Sequence, residues 1–490
     1  MTQRSSISEP KAGLQKIFLN LFRITFDRMK RNYLFLSTAI ILFIFIVSCK
    51  KTPFITSGDA FLFTSADTLH FDTVFTATGS VTQSFKIFNA NDQKLNISNV
   101  EIAGGSASAF KLNVDGAAGI SFNNIEVAAN DSIYVFVAVN VNPTTRNLPF
   151  LLQDSIRINY NGKETIVQLD AYGQNARFLR NATVTKDTAW TSDLPVVVLG
   201  ALTVNQGKTL TINKGAKIYC HADAAINVNG TLKSLGEKEE DKIIFRGDRL
   251  DDYYNNLPGT WPGITFTETS INNVLNYTEI YNAATALTAA NPSLNSNPKL
   301  IMNQCIIDNA SNAGILAYYS SINAVNCLIS NCGSNIKLAA GGNYNFTHCT
   351  VAAYNTNYIF HENPALSISD ADDNNQIFPL NASFINSIFY GDDGFVTDEI
   401  SIQQTGNLLF NILFENVLYK ATSTAGASFT NSIQNADPGF VNIDYENNIY
   451  DFHLLTESPA VNTGKATAVS IDLDGNTRDA NTDIGCYEVQ

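Results

Sequence analysis

Met302-Asn303-Gln304-Cys305-Ile306-Ile307, Ala324-Val325-Asn326-Cys327-Leu328-Ile329 and Phe346-Thr347-His348-Cys349-Thr350-Val351 are three copies of one phrase, and the step from Cys305 to Cys327 equals the step from Cys327 to Cys349. Looser copies follow at Phe384-Ile385-Asn386-Ser387-Ile388-Phe389, Phe414-Glu415-Asn416-Val417-Leu418-Tyr419 and Phe429-Thr430-Asn431-Ser432-Ile433. Apolar, β-branched and small polar residues alternate within each copy. A constant period of this length means one supersecondary unit per repeat, stacked on its neighbours. The residues before the phrase carry the same pattern. Gly200-Ala201-Leu202-Thr203-Val204, Lys208-Thr209-Leu210-Thr211-Ile212, Ala225-Ile226-Asn227-Val228 and Lys242-Ile243-Ile244-Phe245 are short strands, with Gly207, Gly215 and Gly230 between them. Glycine allows the sharp corners that a coil of short strands needs. The expected fold class is all-β, a right-handed parallel β-helix, at ~22 residues per coil roughly eleven coils and a rod about 50 Å long.

The stretch closed by Trp261-Pro262-Gly263-Ile264-Thr265-Phe266 resembles the opening of the pectate-lyase-like β-helix superfamily. Residues 61–175 read differently. Phe71-Asp72-Thr73-Val74-Phe75, Gln83-Ser84-Phe85-Lys86-Ile87-Phe88-Asn89 and Ser132-Ile133-Tyr134-Val135-Phe136-Val137 alternate over longer runs, with turns such as Asn161-Gly162 between strands. That pattern predicts an immunoglobulin-like β-sandwich. It resembles the ASH-type sandwich, a spacer or adaptor module. The tail carries Asp437-Pro438-Gly439-Phe440, Ser458-Pro459-Ala460-Val461-Asn462-Thr463-Gly464, Asp472-Leu473-Asp474-Gly475-Asn476 and Asp483-Ile484-Gly485-Cys486-Tyr487-Glu488 in that order. This order resembles the choice-of-anchor Q ending of bacterial surface β-helix proteins, and predicts a capping segment over 441–490.

Met29-Lys30-Arg31-Asn32 is a basic run, and Tyr33 to Val47 is apolar but short for a membrane span. Ile46-Val47-Ser48-Cys49 follows. The arrangement resembles a bacterial lipoprotein signal of the Bacteroidetes type, which implies translation from Met29, cleavage before Cys49, and a lipid on its thiol. An uncleaved anchor is the other reading. Both imply an exported protein held at a membrane, the outer membrane in the first case, periplasmic or surface-exposed. The division expected is signal 1–49, tether 50–60, sandwich 61–175, β-helix 176–440 and cap 441–490. The sandwich and the cap are expected to cover the solenoid's two open ends.

The chain has 490 residues and a formal net charge of −14. That charge excludes a nucleic-acid partner, which requires clustered Lys and Arg. No nucleic acid and a monomeric state are expected. Cys305, Cys327 and Cys349 share one phase of the repeat and are read as a buried thiol file, a poor tetrahedral metal site; a Cys305–Cys327 bond stays open.

No residue is assigned as catalytic. The repeat fails between Cys349 and Ser387, where the interval stretches to nearly two periods. The surplus falls at His361 to Pro379, and loops on a solenoid are where function concentrates. Candidates there are His361, Asp370, Asp372 and Asp373, with Asp392 and Asp393 of Gly391-Asp392-Asp393-Gly394 nearby. A glycosidase would need two of these carboxylates across a bond, and a lyase a base beside a charge neutraliser. Exposed aromatics for stacking on sugars are Tyr318, Tyr319 and Tyr354. Asp472, Asp474 and Asp483 are spaced like part of a calcium loop but lack its closing glutamate; no cofactor is expected otherwise. Two functions follow: a non-catalytic surface lipoprotein binding glycans or other envelope partners, or a polysaccharide lyase or glycoside hydrolase. The first is preferred, because no coil sets a Lys or Arg beside carboxylates.

Overall fold

The structure is a computed structural model that describes residues 53–76, 82–142, 149–392, 394–423 and 425–490. The Met29 and Cys49 expectations, and Asp393, lie outside the described residues.

Two five-stranded sheets form the first unit. One runs Leu62–Thr64, Gln83–Asn89, Asp131–Val139, Phe110–Val114, Ala117–Gly119 in spatial order. The other runs Thr68–Phe75, Lys163–Gln174, Phe150–Tyr160, Leu95–Ile102, Ser121–Val127. Pairing is antiparallel except for Thr68–Phe75 against Lys163–Gln174. Alternate residues point inward, as Ile133, Val135, Val137 and Val139 do along one strand. Phe71 and Phe110 meet between the sheets with ring centroids 5.8 Å apart. Asn161 and Gly162 both take positive φ, 44° and 76°, which closes the hairpin between Phe150–Tyr160 and Lys163–Gln174.

From Arg177 to Gln434 the chain forms a single parallel sheet of 26 strands wound as a β-helix. Each coil has three faces. The first holds strands such as Ile264–Phe266, Leu366–Ser369 and Ile400–Gln403. The second holds Leu300–Asn303, Leu380–Ile385 and Phe410–Glu415. The third holds Ile306–Asp308, Leu328–Ser330, Thr350–Ala353 and Ile388–Gly391. The long strands Ala313–Val325 and Ile336–Thr347 each turn from the first face to the second.

The repeated phrase is the corner between the second and third faces. Gln304, Asn326, His348, Asn386, Asn416 and Asn431 occupy it with φ between 49° and 53°. Only a left-handed residue lets the chain turn within one position, and asparagine tolerates that conformation better than most side chains. The residue after it points into the core. Cys305, Cys327 and Cys349 are buried there and free, as are Cys220, Cys332 and Cys486. Burial holds the Cys305 and Cys349 thiols well above their ordinary range. The phrase's first residues also stack inside: Phe346 on Phe384 at 5.5 Å, Phe384 on Phe414 at 4.7 Å, and Phe414 on Phe429 at 4.5 Å. Interdigitated rings in register make the rod's interior dense and specific.

The tail departs from the expected end cover. Phe440–Asp444 and Ile449–Leu454 form a hairpin, and residues 455–490 continue from it along the solenoid's side. The outward file of the third face explains this. Ile306, Leu328, Thr350, Ile388, Leu418 and Ile433 align through successive coils. Apart from Thr350, whose Oγ1 accepts from Cys486 N at 3.1 Å, the file is apolar, and an apolar file of that length needs cover. Phe440, Phe452, Leu454, Ala460, Leu473, Ile484 and Tyr487 supply it. The corner asparagines fasten the segment. Asn416 Nδ2 donates to Thr463 O (2.9 Å), Asn386 Nδ2 to Lys465 O (2.7 Å) and Asn326 Nδ2 to Ile471 O (2.7 Å). Buried His348 lies 2.9 Å from Asn386 Nδ2, and burial lowers its pKa to about 3. The tail therefore runs back along the rod as a lateral strap.

Candidate functional site

The second face, unlike the third, is open. Its outward residues are Ser321, Asn343, Asn381 and Asn411 in one file and Asn323, Asn345 and Ser383 in the next. The amides hydrogen-bond coil to coil. Asn345 Nδ2 donates to Asn323 Oδ1 at 3.0 Å, Asn381 Nδ2 to Asn343 Oδ1 at 3.1 Å, and Asn411 Nδ2 to Asn381 Oδ1 at 2.8 Å. Each rung thereby fixes its neighbour's orientation and keeps a second N–H for an incoming group. The loop at Pro292 to Pro298 and the corner at Tyr319 raise walls beside these rungs. The enclosed groove measures about 570 Å³. Its lining contains amides, hydroxyls, Pro, Gly, Leu and one tyrosine, and no charged side chain among the described residues. Lys299, next to the wall, is turned inside. Its Nζ donates to Thr267 O (2.7 Å) and Glu268 O (3.0 Å), and burial lowers its pKa to about 8.

Of the three tyrosines singled out in the sequence, one reaches this groove. Tyr319 lines it, held at φ 43° with its ring 4.6 Å from that of Phe378. Tyr318 is half-buried and is not in the lining. Tyr354 is buried between Phe440 and Phe452 under the strap, so its ring is not available to a ligand.

The carboxylate candidates separate, for a reason visible in the register. Ile336 pairs with Leu366, whereas Gly342 pairs with Leu380. A regular coil advances about 22 residues, so both offsets carry a surplus, and the second surplus is about twice the first. Half of the extra chain thus enters before the first-face strand, and half enters after it. His361 belongs to the first half and Asp370 to Asp373 to the second. Asp370 is buried and accepts from Thr405 N (2.7 Å) and Gly406 N (2.9 Å), bracing the next coil's corner. Asp372 closes its own turn by accepting from Asn374 N and Gln376 N, both at 2.8 Å, and Asp373 is exposed in that turn.

His361 gathers a different group. Its Nε2 lies 3.2 Å from Glu399 Oε2, and its Nδ1 lies 3.3 Å from Asp392 O. Glu399 Oε2 also accepts from Ala365 N at 3.0 Å. Lys420 Nζ donates to Gly391 O (2.8 Å) and Asp392 Oδ1 (2.9 Å). His361 and Glu399 are 4% and 0% exposed, so a substrate does not reach them. A Cβ at Gly391 would stand 2.5 Å from the His361 ring, and one at Gly394 would also strike that residue. The glycines of Gly391-Asp392-Asp393-Gly394 make room for the histidine. Glu399 and Lys420 carried no signal in the sequence, lying far beyond His361 along the chain with nothing distinctive around them.

The tail carboxylates likewise take separate partners. Asp472 accepts from Asn476 N (2.7 Å) and Glu488 N (3.1 Å). Asp483 accepts from Asn462 N (2.7 Å) and Val489 N (2.8 Å). Asp474 pairs with His453 Nε2 at 2.9 Å. Among the described residues no group of three or more His, Cys, Asp or Glu side chains is placed to hold a metal ion. A further cleft of about 560 Å³ lies between the sandwich and the first coils, where Phe75 packs on Tyr219 at 4.9 Å. Two ion pairs form within its lining, His221 with Asp248 at 2.8 Å and Arg249 with Asp251 at 3.0 Å.

No family model matches the chain, and no curated protein matches it. Solved structures overlap it in part. An ASH/PapD-like domain of human CEP192 is 9% identical with a TM-score of 0.17, and the match covers 26% of this chain and 94% of that domain. A family 123 glycoside hydrolase from Clostridium perfringens is 10% identical with a TM-score of 0.17, covering 23% of this chain and 25% of the hydrolase. A protein of unknown function from Porphyromonas gingivalis is 10% identical with a TM-score of 0.17, covering 26% of this chain and 60% of its own. Overlap of this extent carries no inference about activity. No helix among the described residues is long and apolar enough to cross a membrane.

Proposed function

We propose that this protein is a non-catalytic surface binder of uncharged glycan chains, tethered to the outer membrane by a lipid on Cys49, with the second-face groove as its binding site. The carrying observation is the groove's chemistry. In a chain of net charge −14, the groove presents laddered amides, hydroxyls and Tyr319 without a charged side chain. Neutral sugars offer hydroxyls to both halves of an amide and an apolar ring face to an aromatic side chain. Amide rungs repeated coil by coil suit an extended chain laid along the rod. A polyanionic sugar would find no counter-charge there.

The enzyme reading retains one observation, the meeting of His361, Asp392 and Lys420. These groups lie outside the groove lining, and His361 and Glu399 are closed to solvent. General acid–base work needs reach to the scissile bond, so the binding reading is the better supported.

A glycan array read beside a reducing-end release assay tests the proposal on the purified chain. The expected result is binding to neutral glycans, no new reducing ends, and about a tenfold loss of affinity in Tyr319→Ala, equivalent to about 1.4 kcal/mol. Release of new ends from any polysaccharide, or affinity unchanged in Tyr319→Ala, refutes it. The tether is checked separately: lipid labelling of the expressed protein should vanish in Cys49→Ala, and persistent labelling would refute that part.

A further inference from the structure

Alternation along the strands of the sandwich's first sheet turns Phe63, Lys86, Phe88, Tyr134 and Phe136 away from the core. Phe61 precedes them at the sheet's edge. Phe61, Phe63, Tyr134 and Phe136 are 58%, 42%, 46% and 39% exposed. Phe63 lies 4.6 Å from Phe88 at an interplanar angle of 7°, and Tyr134 lies 5.6 Å from Phe136 at 16°. Lys86 Nζ sits 4.6 Å from the centre of the Tyr134 ring. Clustered exposed rings of this kind mark a contact with another body. Charge separates this face from the sandwich's other one. The first sheet turns Lys86 and Lys111 outward, and the one carboxylate of its strands, Asp131, stands at a strand end in the inward phase, opposite Asn89. The other sheet turns Glu101, Glu126, Arg157 and Asp170 outward. An aromatic face with two lysines and no outward carboxylate stands out in a chain of net charge −14.

The chain enters the sandwich beside this face. Phe54 bridges to Lys94, and Ile55 N donates to Lys94 O at 2.8 Å. Phe61 N donates to Asn91 Oδ1 (3.0 Å), and Asn91 Nδ2 donates back to Phe61 O (2.8 Å). These bonds fasten the chain at Phe54 and again at Phe61. Cys49 stands five positions before Phe54, and at ~3.6 Å per residue those positions span at most about 18 Å. We propose that the aromatic face of the first sheet docks on the phospholipid bilayer that holds Cys49. The inference rests on the tether put forward above. A tether this short already confines the sandwich to the bilayer surface, so docking costs little further freedom. The phenylalanine rings suit the boundary between head groups and acyl chains, and Tyr134 keeps its hydroxyl on the wet side of it. Lys86 and Lys111 lay their stems along the apolar surface and carry their charges to lipid phosphates.

Tryptophan emission on vesicles tests the docking. The full chain is reconstituted with vesicles of phosphatidylethanolamine and phosphatidylglycerol, with and without brominated acyl chains, which quench an indole that touches them. The parent's two tryptophans, Trp190 and Trp261, are buried and give a constant background. Phe63→Trp places a reporter on the face, and Phe395→Trp places one at an exposed position of the solenoid. The expected result is about a twofold loss of the added emission with brominated lipid in Phe63→Trp, and no loss in Phe395→Trp. Circular dichroism confirms that each variant folds. A chain that floats with the vesicles but shows no quenching in Phe63→Trp overturns the docking and leaves the tether standing. A chain that does not float overturns both. Equal quenching of the two reporters overturns the docking as well. So does a dimer, seen by sedimentation velocity, that Phe63→Ser with Tyr134→Ser disperses, since a second copy then covers the face.

Discussion

The second and third faces of the solenoid are built from the same coils and meet at the same left-handed corner, yet one is open and the other is covered. Their inward residues are alike: Ile322, Tyr344 and Phe384 on one, Ile329, Val351 and Phe389 on the other, all fully buried in one core. The outward files differ. The second face shows Ser321, Asn343, Asn381 and Asn411, while the third shows Leu328, Thr350, Ile388 and Leu418. Amides satisfy one another and remain in water. Aliphatic side chains draw the tail down over them, at roughly 25 cal/mol for each Å² of apolar surface removed from solvent. A single outward position per coil thus decides whether a face becomes scaffold or binding surface.

The sharpest way to break this contrast is to place the same charge on both faces. Ile388 is 1% exposed beneath the strap. Ile388→Asp must either bury an unpaired carboxylate or lift the strap away, and should cost about 4 kcal/mol or more. Ser383→Asp puts that carboxylate on the open face and should cost less than about 0.5 kcal/mol. Chemical denaturation gives the two values. Limited proteolysis shows the mode, with cleavage between residues 436 and 490 expected in Ile388→Asp alone. Equal costs for the two variants would remove the distinction between the faces.

The strap itself hangs on Arg478, whose side chain is 1% exposed. It donates to Glu488 Oε2 (2.8 Å), Asn326 Oδ1 (2.9 Å) and Gly485 O (2.9 Å). Arg478→Ala leaves Glu488 buried without its cation and should cost about 3 kcal/mol. Arg478→Ala with Glu488→Gln should recover part of that loss, because no uncompensated charge remains. A double variant no more stable than Arg478→Ala would show that the lost contacts to Asn326 and Gly485, rather than the orphaned charge, set the cost.

Much of the rod was legible because the repeat is local. The phrase around Cys305, Cys327 and Cys349 carries its corner, its inward thiol and its outward aliphatic within a few positions, and the register pairs these copies as their constant spacing predicts. The strap was not legible, since its asparagine partners lie far away along the chain, and what it offers them is mostly its own backbone carbonyls, which no residue type advertises. The groove was hidden differently. Asparagine serves two unrelated purposes in this chain: a left-handed corner at Asn326 and Asn386, and an outward rung at Asn343 and Asn381. Composition cannot separate them, and only the strand phase does. The failure of the rhythm after Cys349 was visible, but not that it is two insertions on opposite ends of one strand, which sends His361 and Asp370 to different corners.

A smaller effect concerns how tightly the strap closes with pH. His453 Nδ1 lies 2.5 Å from Asp451 Oδ1 and its Nε2 lies 2.9 Å from Asp474 Oδ2, while its ring stacks on Tyr487 at 3.8 Å. The hydrogen bond to Asp474, with that to Asp451, raises its pKa to about 9. Because the folded value lies above the ordinary one near 6.5, the stabilisation is fully present below about pH 6.5 and fades as pH rises through about 9. Asp474 is depressed in turn by His453, so its share is lost as pH falls below about 4. The side chains are 43% and 39% exposed, so solvent screening keeps the effect below about 1 kcal/mol. Melting temperature should therefore decline slightly between pH 6.5 and 9 in the parent chain and stay flat over that interval in His453→Gln. High salt should shrink the parent's decline, since screened pairs weaken with ionic strength. A decline of equal size in His453→Gln would move the origin of the pH response away from this latch and leave the third face held by its apolar file and Arg478 alone.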